Sequence, residues 1–213
     1  MRITKLGHAC VRIEHDGGIV VIDPGSFTAP GAADGASAVL VTHEHPDHWT
    51  AEQLRGTDAD IWTTHAVADV LAAEAPDLTG RVRRITSGET FDAGLAVTAV
   101  GELHAVIHEE IPRVHNSGYV LDVDGLLVYH PGDALTSPGR AVDLLCAPVS
   151  APWLKASEAI DFARAVGAPH NIAIHDRVYS EAGLGIVDGH MARFLEPTGQ
   201  SYSRLADGAD LDL

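Results

Sequence analysis

The chain has 213 residues, 46% of them hydrophobic, and carries 14 lysines and arginines against 30 aspartates and glutamates, a formal net charge of −16. So acidic a chain lacks the clustered positive charge that grips a nucleic-acid backbone, which sets long polynucleotides aside as substrates. No apolar run approaches the roughly 18 residues that span a bilayer, and two cysteines, Cys10 and Cys146, cannot build a disulfide framework.

This length and hydrophobic content suit one domain across residues 1–213, and no low-complexity stretch marks a linker. Met1-Arg2-Ile3-Thr4-Lys5 enters directly on a strand pattern, without the charged and apolar regions of a secretory signal. With both cysteines inside apolar runs, a cytoplasmic location is expected.

In chain order, apolar alternation at 2–5, 9–14 and 18–22 predicts three strands, and the run at 38–42 a fourth. Segments 50–55 and 65–74, rich in alanine and leucine, predict helices. Strands resume at 95–100, 118–123, 125–130 and 143–149, and Asp124-Gly125 reads as a hairpin turn that also accounts for Asp122. A helix is predicted over 157–166, where Ser157-Glu158 supplies a start signal, then a strand at 170–174 and a last helix over about 186–195. Two strand-rich halves flanked by helices place the chain in the α/β or α+β class, with helices layered around packed sheets.

The densest chemistry follows the fourth strand. Thr42-His43-Glu44-His45-Pro46-Asp47-His48 sets His43, His45, Asp47 and His48 on one loop. Imidazole and carboxylate are the donors that suit zinc, iron or manganese. One tetrahedral centre with an open position would not take so many donors from a single loop, so two metals sharing further ligands are expected.

The spacing of His43, His45, Asp47 and His48 matches the HxHxDH signature of the metallo-β-lactamase superfamily, and Asp23 in Val20-Val21-Ile22-Asp23-Pro24-Gly25 resembles the strand-end aspartate that precedes it. Leu6-Gly7-His8-Ala9 and Tyr129-His130-Pro131-Gly132-Asp133 are similar to the branch that holds ascorbate-6-phosphate lactonase-like and related metal-dependent hydrolases. The resemblance implies an α/β fold, a four-layer αββα sandwich with two mixed β-sheets packed between helices. It also implies a first metal held by His43, His45 and His104, a second by Asp47, His48 and His175, and Asp133 bridging both. His108 competes with His104 for its place. The segment that holds both departs from the GHTxGH pattern of thioester-cleaving relatives, and Ala134 stands where many relatives carry threonine.

Two divalent ions, zinc first with manganese or iron as alternatives, would lower the pKa of a shared water and polarise a carbonyl or phosphoryl oxygen. Asp47 is expected to act catalytically as well as to ligate, and Asp23 to fix a ligand's tautomer. His8, His115, His130, Trp153 and Tyr179 are candidates for the pocket, whereas His15, His65, His170 and His190 are read as surface or packing residues. The expected function is metal-dependent hydrolysis of a small ester, lactone or phosphoester. An iron-binding redox protein and a non-catalytic metal-binding module are the alternatives; His45 stands where diiron electron-transfer relatives carry a carboxylate, which weighs against the first. Oligomeric state leaves no signature.

Overall fold

The valine- and isoleucine-rich opening folds on itself as a meander of β1 (Arg2–Lys5), β2 (Val11–His15) and β3 (Gly18–Ile22), each strand antiparallel to the one before. β4 (Ala38–Val41), β5 (Asp60–Thr64) and β6 (Val82–Ile85) extend that sheet in parallel, in the order β1-β2-β3-β4-β5-β6. Parallel neighbours need crossovers. The described helices α1 (Ala51–Arg55) and α2 (His65–Glu74) lie in two of them. The computed structural model describes residues 1–211.

The second half builds β7 (Thr90–Asp92), β8 (Ala96–Val100), β9 (Gly118–Val123), β10 (Leu126–His130), β11 (Leu144–Pro148), β12 (His170–Ile174) and β13 (Ser201–Ser203) into one sheet. Its order is β13-β12-β11-β10-β9-β8-β7, antiparallel from β7 to β10 and parallel from β10 to β13. α3 (Ala156–Val166) joins β11 to β12, and α4 (Glu181–Leu195) joins β12 to β13.

Alternation along the strands decides which side chains face which layer. Val20, Ile22 and Leu40 of the first sheet meet Leu121, Val128, Cys146 and Ile172 of the second in a core between the sheets. Val21, Val39 and Ile61 point the other way, onto Leu54, Val67 and Leu71 of α1 and α2. Leu145 and Ala173 turn outward onto Phe162 of α3 and Leu184 and Met191 of α4. The layers therefore run helix, sheet, sheet, helix, as the resemblance implied. Among the described residues, no helix is long and apolar enough to cross a membrane.

Four strands escape the sequence reading. β6 buries only Ile85 fully, β7 is Thr-Phe-Asp and β13 is Ser-Tyr-Ser, so their polar composition hides them at or near sheet edges. β5, Asp-Ile-Trp-Thr-Thr, is paired on both sides but is only half apolar. The last helix starts at Glu181 rather than near 186, because Ser180 caps it by accepting a hydrogen bond from the Gly183 amide. Gly183 and Gly185 weaken the helical signal over that first turn.

One buried ion pair ties β1 to the turn after β12, near the rim where the functional groups lie. The Lys5 ammonium, 0% exposed, donates to Asp176 Oδ2 at 2.8 Å, and Asp176 directly follows His175. The C-terminal segment reinforces β1, with Gly208 N donating to Lys5 O and Leu211 N to Ile3 O. Lys5→Ala leaves the Asp176 carboxylate buried without its cation, and a loss of about 3–5 kcal/mol in urea unfolding is expected. Replacing both partners by Met and Leu should recover most of that loss, whereas an equal loss in single and double variants would deny the pair its role.

Candidate metal centre

The two sheets close on each other at one rim. Tyr119, buried on β9, donates its hydroxyl across the core to Val41 O, the last residue of β4. Ser117 N donates to Thr42 O, and His43 bridges Asn116. The loop after β4 is thus pinned against the second sheet, beside the turns after β10 and β12. His43, His45, Asp47 and His48 follow β4; His104 lies past β8; Asp133 follows β10; His175 follows β12.

Among the described residues these side chains form two facing groups whose ligand atoms lie within 4.8 Å of one another. One is His43, His45, His104 and Asp133; the other is His8, Asp47, His48 and His175. All seven residues singled out in the sequence fall in these groups. His108 is exposed and its Nδ1 accepts from Glu110 N, away from both. His8, a pocket candidate from sequence, joins the second group; a lone histidine in Gly-His-Ala carries no spacing signal that could have placed it there.

Asp133 joins the groups. Its Oδ1 lies 3.1 Å from His48 Nε2, and its Oδ2 lies 3.0 Å from His175 Nε2, 3.4 Å from His104 Nε2 and 4.0 Å from His43 Nε2. Trp153 Nε1 donates to the same Oδ2 at 3.1 Å. Asn116, missed in the sequence, holds the loop: its Oδ1 accepts from Asp133 N and its Nδ2 donates to Pro131 O. Gly132 makes that approach possible, since a Cβ there would stand 2.4 Å from Asn116 Oδ1. Gly25 does the same for the histidine loop, where a Cβ would collide with the Asp47 carbonyl.

The outer nitrogens are tied down. His43 Nδ1 lies 3.0 Å from Thr42 Oγ1, which itself donates to Asp23 Oδ2. His48 Nδ1 donates to Asp23 Oδ2 at 2.7 Å, His104 Nδ1 to Ala105 O at 2.7 Å, and His175 Nδ1 to Ser150 O. Each of these rings therefore turns its Nε2 toward the centre, where His43 Nε2 also lies 3.0 Å from His45 Nδ1, the arrangement that orients ligating histidines. Asp23 takes the supporting place that the sequence assigned to it. Asp23 and His175, with φ of 51° and 55°, sit in the left-handed region, which costs on the order of 1–3 kcal/mol each and persists where surrounding bonds over-determine it.

Charge balance follows from burial and neighbours. Burial alone would discharge His48, but Asp133 and Asp23 outweigh it and hold its pKa well above the usual range. Burial likewise opposes charge on Asp133, and His48 and His175 override it, keeping the carboxyl ionised. Burial, then His48, pushes His43 far down; burial and His104 lower His45. His8 is pushed down to about 4 by burial, against its bond to Asp47.

The donor set fits divalent cations. His48 Nε2, His104 Nε2 and Asp133 Oδ1 are buried and have no aligned hydrogen-bond partner among the described residues, although they converge on the same space. Donors around one ion with bonds of about 2.0–2.2 Å stand roughly 3 Å apart, which matches the Asp133 contacts. The remaining pocket candidates part company. Trp153 sits over the centre, its ring 5.6 Å from His104 and 6.0 Å from His175. His130 is structural, bonding Ala9 O through Nε2 and accepting Gly132 N at Nδ1. Tyr179 reaches the Ala151 and Leu154 carbonyls only at 3.4 Å, and His115 lines a separate cavity with Thr64 and Glu102.

Comparison with known proteins agrees with the fold. Residues 2–175 match the family model described as the beta-lactamase superfamily domain. A Mycobacterium tuberculosis relative, Protein Rv0786c, is 37% identical over 195 residues, covering 90% of this chain and 91% of its own. A UPF0173 metal-dependent hydrolase of Methanosphaerula palustris is 32% identical over 188 residues, covering 82% and 83%. Among solved structures, CmlA, a diiron β-hydroxylase from Streptomyces venezuelae, superposes with a TM-score of 0.75 at 17% identity, over 100% of this chain and 54% of that one. An αββα sandwich with this rim of histidines and carboxylates, and the family model's span of the chain, make the protein a member of the metallo-β-lactamase superfamily.

Proposed function

We propose that the chain is a metal-dependent hydrolase of small esters, lactones or phosphoesters, with His43, His45 and His104 holding one ion, Asp47, His48 and His175 the other, and Asp133 shared. The observation that carries the reading is the convergence of buried Nε2 atoms, each from the end of a separate strand, on the Asp133 carboxylate. A pair of divalent ions, zinc first with manganese or iron as alternatives, would supply Lewis acidity and an acidified water there.

The protein's own groups do the rest. Asp133, 2% exposed, serves as a fixed counter-charge, whereas Asp47, 22% exposed, is the carboxylate of the pair that a substrate reaches. Asp47 is therefore assigned the proton traffic, taking a proton from water and returning it to the leaving oxygen. A cavity of about 300 Å³ beside the centre is lined by Leu103, Val106, Leu135 and Trp153 and has room for a small molecule. Trp153 forms both its wall and the bond to Asp133, so substrate lying there excludes water from the buried side. The overall charge of −16 disfavours a nucleic acid in that place. Two free, buried cysteines suit a reducing, cytoplasmic setting.

The curated relative described as a metal-dependent hydrolase supports the reaction class. The fold likeness to a diiron hydroxylase supports a second reading, an iron-binding redox protein, but the nitrogen donor at His45 favours hydrolysis. Protein loaded with zinc, manganese or iron and offered lactone, aryl ester and phosphodiester panels is expected to hydrolyse at least one class. Silence across all three panels with about two ions bound per chain would remove the hydrolase reading, and an iron charge-transfer band in the purified protein would favour the rival.

A further inference from the structure

His8 differs from the other buried histidines of the centre in how its two nitrogens are used. His43, His48, His104 and His175 each set Nδ1 against an oxygen outside the centre and turn Nε2 inward, toward the other donors. For His8 the order is reversed: Nδ1 is buried with no partner among the described residues, while Nε2 lies 3.1 Å from Asp47 Oδ2. A ligating Nε2 would force the hydrogen onto Nδ1 and strand a buried donor, at a cost of about 1–3 kcal/mol. With the hydrogen on Nε2, the ring instead makes a charge-assisted bond to a carboxylate, roughly twice as strong as a neutral one.

We propose that His8 is a positioning residue for Asp47, donating Nε2–H to Oδ2, and not a nitrogen donor of the second metal. The inference rests on the two-ion reading for its purpose but not for its geometry. The backbone is shaped to deliver that ring. Gly7 has φ of 105° and a Cβ on it would stand 2.8 Å from Phe27 O, so the chain passes there only as glycine. His8 itself has φ of 49°, and its carbonyl accepts from His175 N, so the strained turn is anchored to the strand end that carries another predicted ligand. Phe27 presents its ring edge-on at 5.1 Å and closes the outer side. One turn thus fixes Asp47 through a side chain and His175 through a backbone bond.

Long-range ¹H–¹⁵N spectra of labelled protein read which nitrogen of His8 carries the hydrogen. Nε2–H is expected in both metal-free and zinc-loaded protein; a bare Nε2 in the zinc form would make His8 a ligand and overturn the inference. The second readout is zinc affinity by chelator competition in His8→Ala and His8→Gln, two variants equally strained at this φ. Alanine is expected to weaken the second ion by about 10–100-fold, the range for loss of a ligand's supporting partner. Glutamine, which can still donate to Asp47 but ligates poorly, should recover most of that. Loss in His8→Gln as large as in His8→Ala, or wild-type affinity in His8→Ala, would also overturn it. Should the wild type take up no ions at all, the metal reading fails by itself, and the tautomer in metal-free protein still decides whether His8 serves Asp47.

Discussion

Removing the ions with a chelator is expected to lower the midpoint of thermal unfolding by about 15–30 °C. An ion that binds only the folded chain at about 1,000 times its Kd adds ~4 kcal/mol, so two such ions add ~8 kcal/mol. In a chain of this size each kcal/mol moves the midpoint by roughly 2–4 °C. The unfolded chain offers little competition, because the donors are spread from His43 to His175 and only the folded rim gathers them. Without ions, the centre keeps several buried imidazoles and carboxylates together, with His48 Nε2, His104 Nε2 and Asp133 Oδ1 lacking aligned partners. Part of the charge is self-compensated, since His48 is held protonated between Asp133 and Asp23. That compensation keeps the metal-free protein folded and draws the expected shift toward the lower half of the range. Calorimetry with and without zinc checks it; a shift of only a few degrees would mean that the ions do not bind at the rim.

The sequence makes this centre legible to an uneven degree, for physical reasons. His43, His45, Asp47 and His48 are local: one loop presents them, so spacing alone exposes them. His104, Asp133 and His175 join the cluster only because β8, β10 and β12 end at the same rim, a fact of sheet order rather than of local pattern. A strand end and a family resemblance suffice to nominate them. Asn116 has neither sign, and His8, though it lies in a segment that resembles the family, is nominated only as a pocket candidate. Asn116 matters because the Gly132 turn passes its side-chain oxygen, and His8 because a positive-φ turn aims it at Asp47. The strands show the same divide. Buried β3, β4 and β11 announce themselves by composition, whereas Trp62 of β5 and Phe91 of β7 earn their places by stacking on each other across 4.5 Å. Neither residue's own neighbours in the sequence reveal that contact.

Asp133→Ala is expected to take ion content from about two per chain to less than one and turnover down by more than about 10⁴-fold, beyond the 10²–10⁴ that losing one positioned acid or base costs. Asp133 faces both groups: its Oδ1 meets His48 and its Oδ2 meets His175 of one, while Oδ2 also meets His104 of the other. Losing it removes a donor from each group and the anion that offsets two adjacent cations. Packing is the competing explanation, since Trp153 and Asn116 both bond this residue. Asp133→Asn separates the two. Its amide oxygen can still accept from Trp153 Nε1, and its backbone amide still reaches Asn116, so shape survives while the charge is gone. In the metal-free variant His48 can shed its proton once that anion is lost, so the fold is expected to hold, as near-ultraviolet circular dichroism would report. If charge governs the centre, the asparagine variant is as inactive and as poor in ions as the alanine one. An asparagine variant that kept about two ions and turned over within tenfold of wild type, a difference of only ~1.4 kcal/mol in the barrier, would show that Asp133 shapes the loop and that the ions are held by the histidines and Asp47 alone.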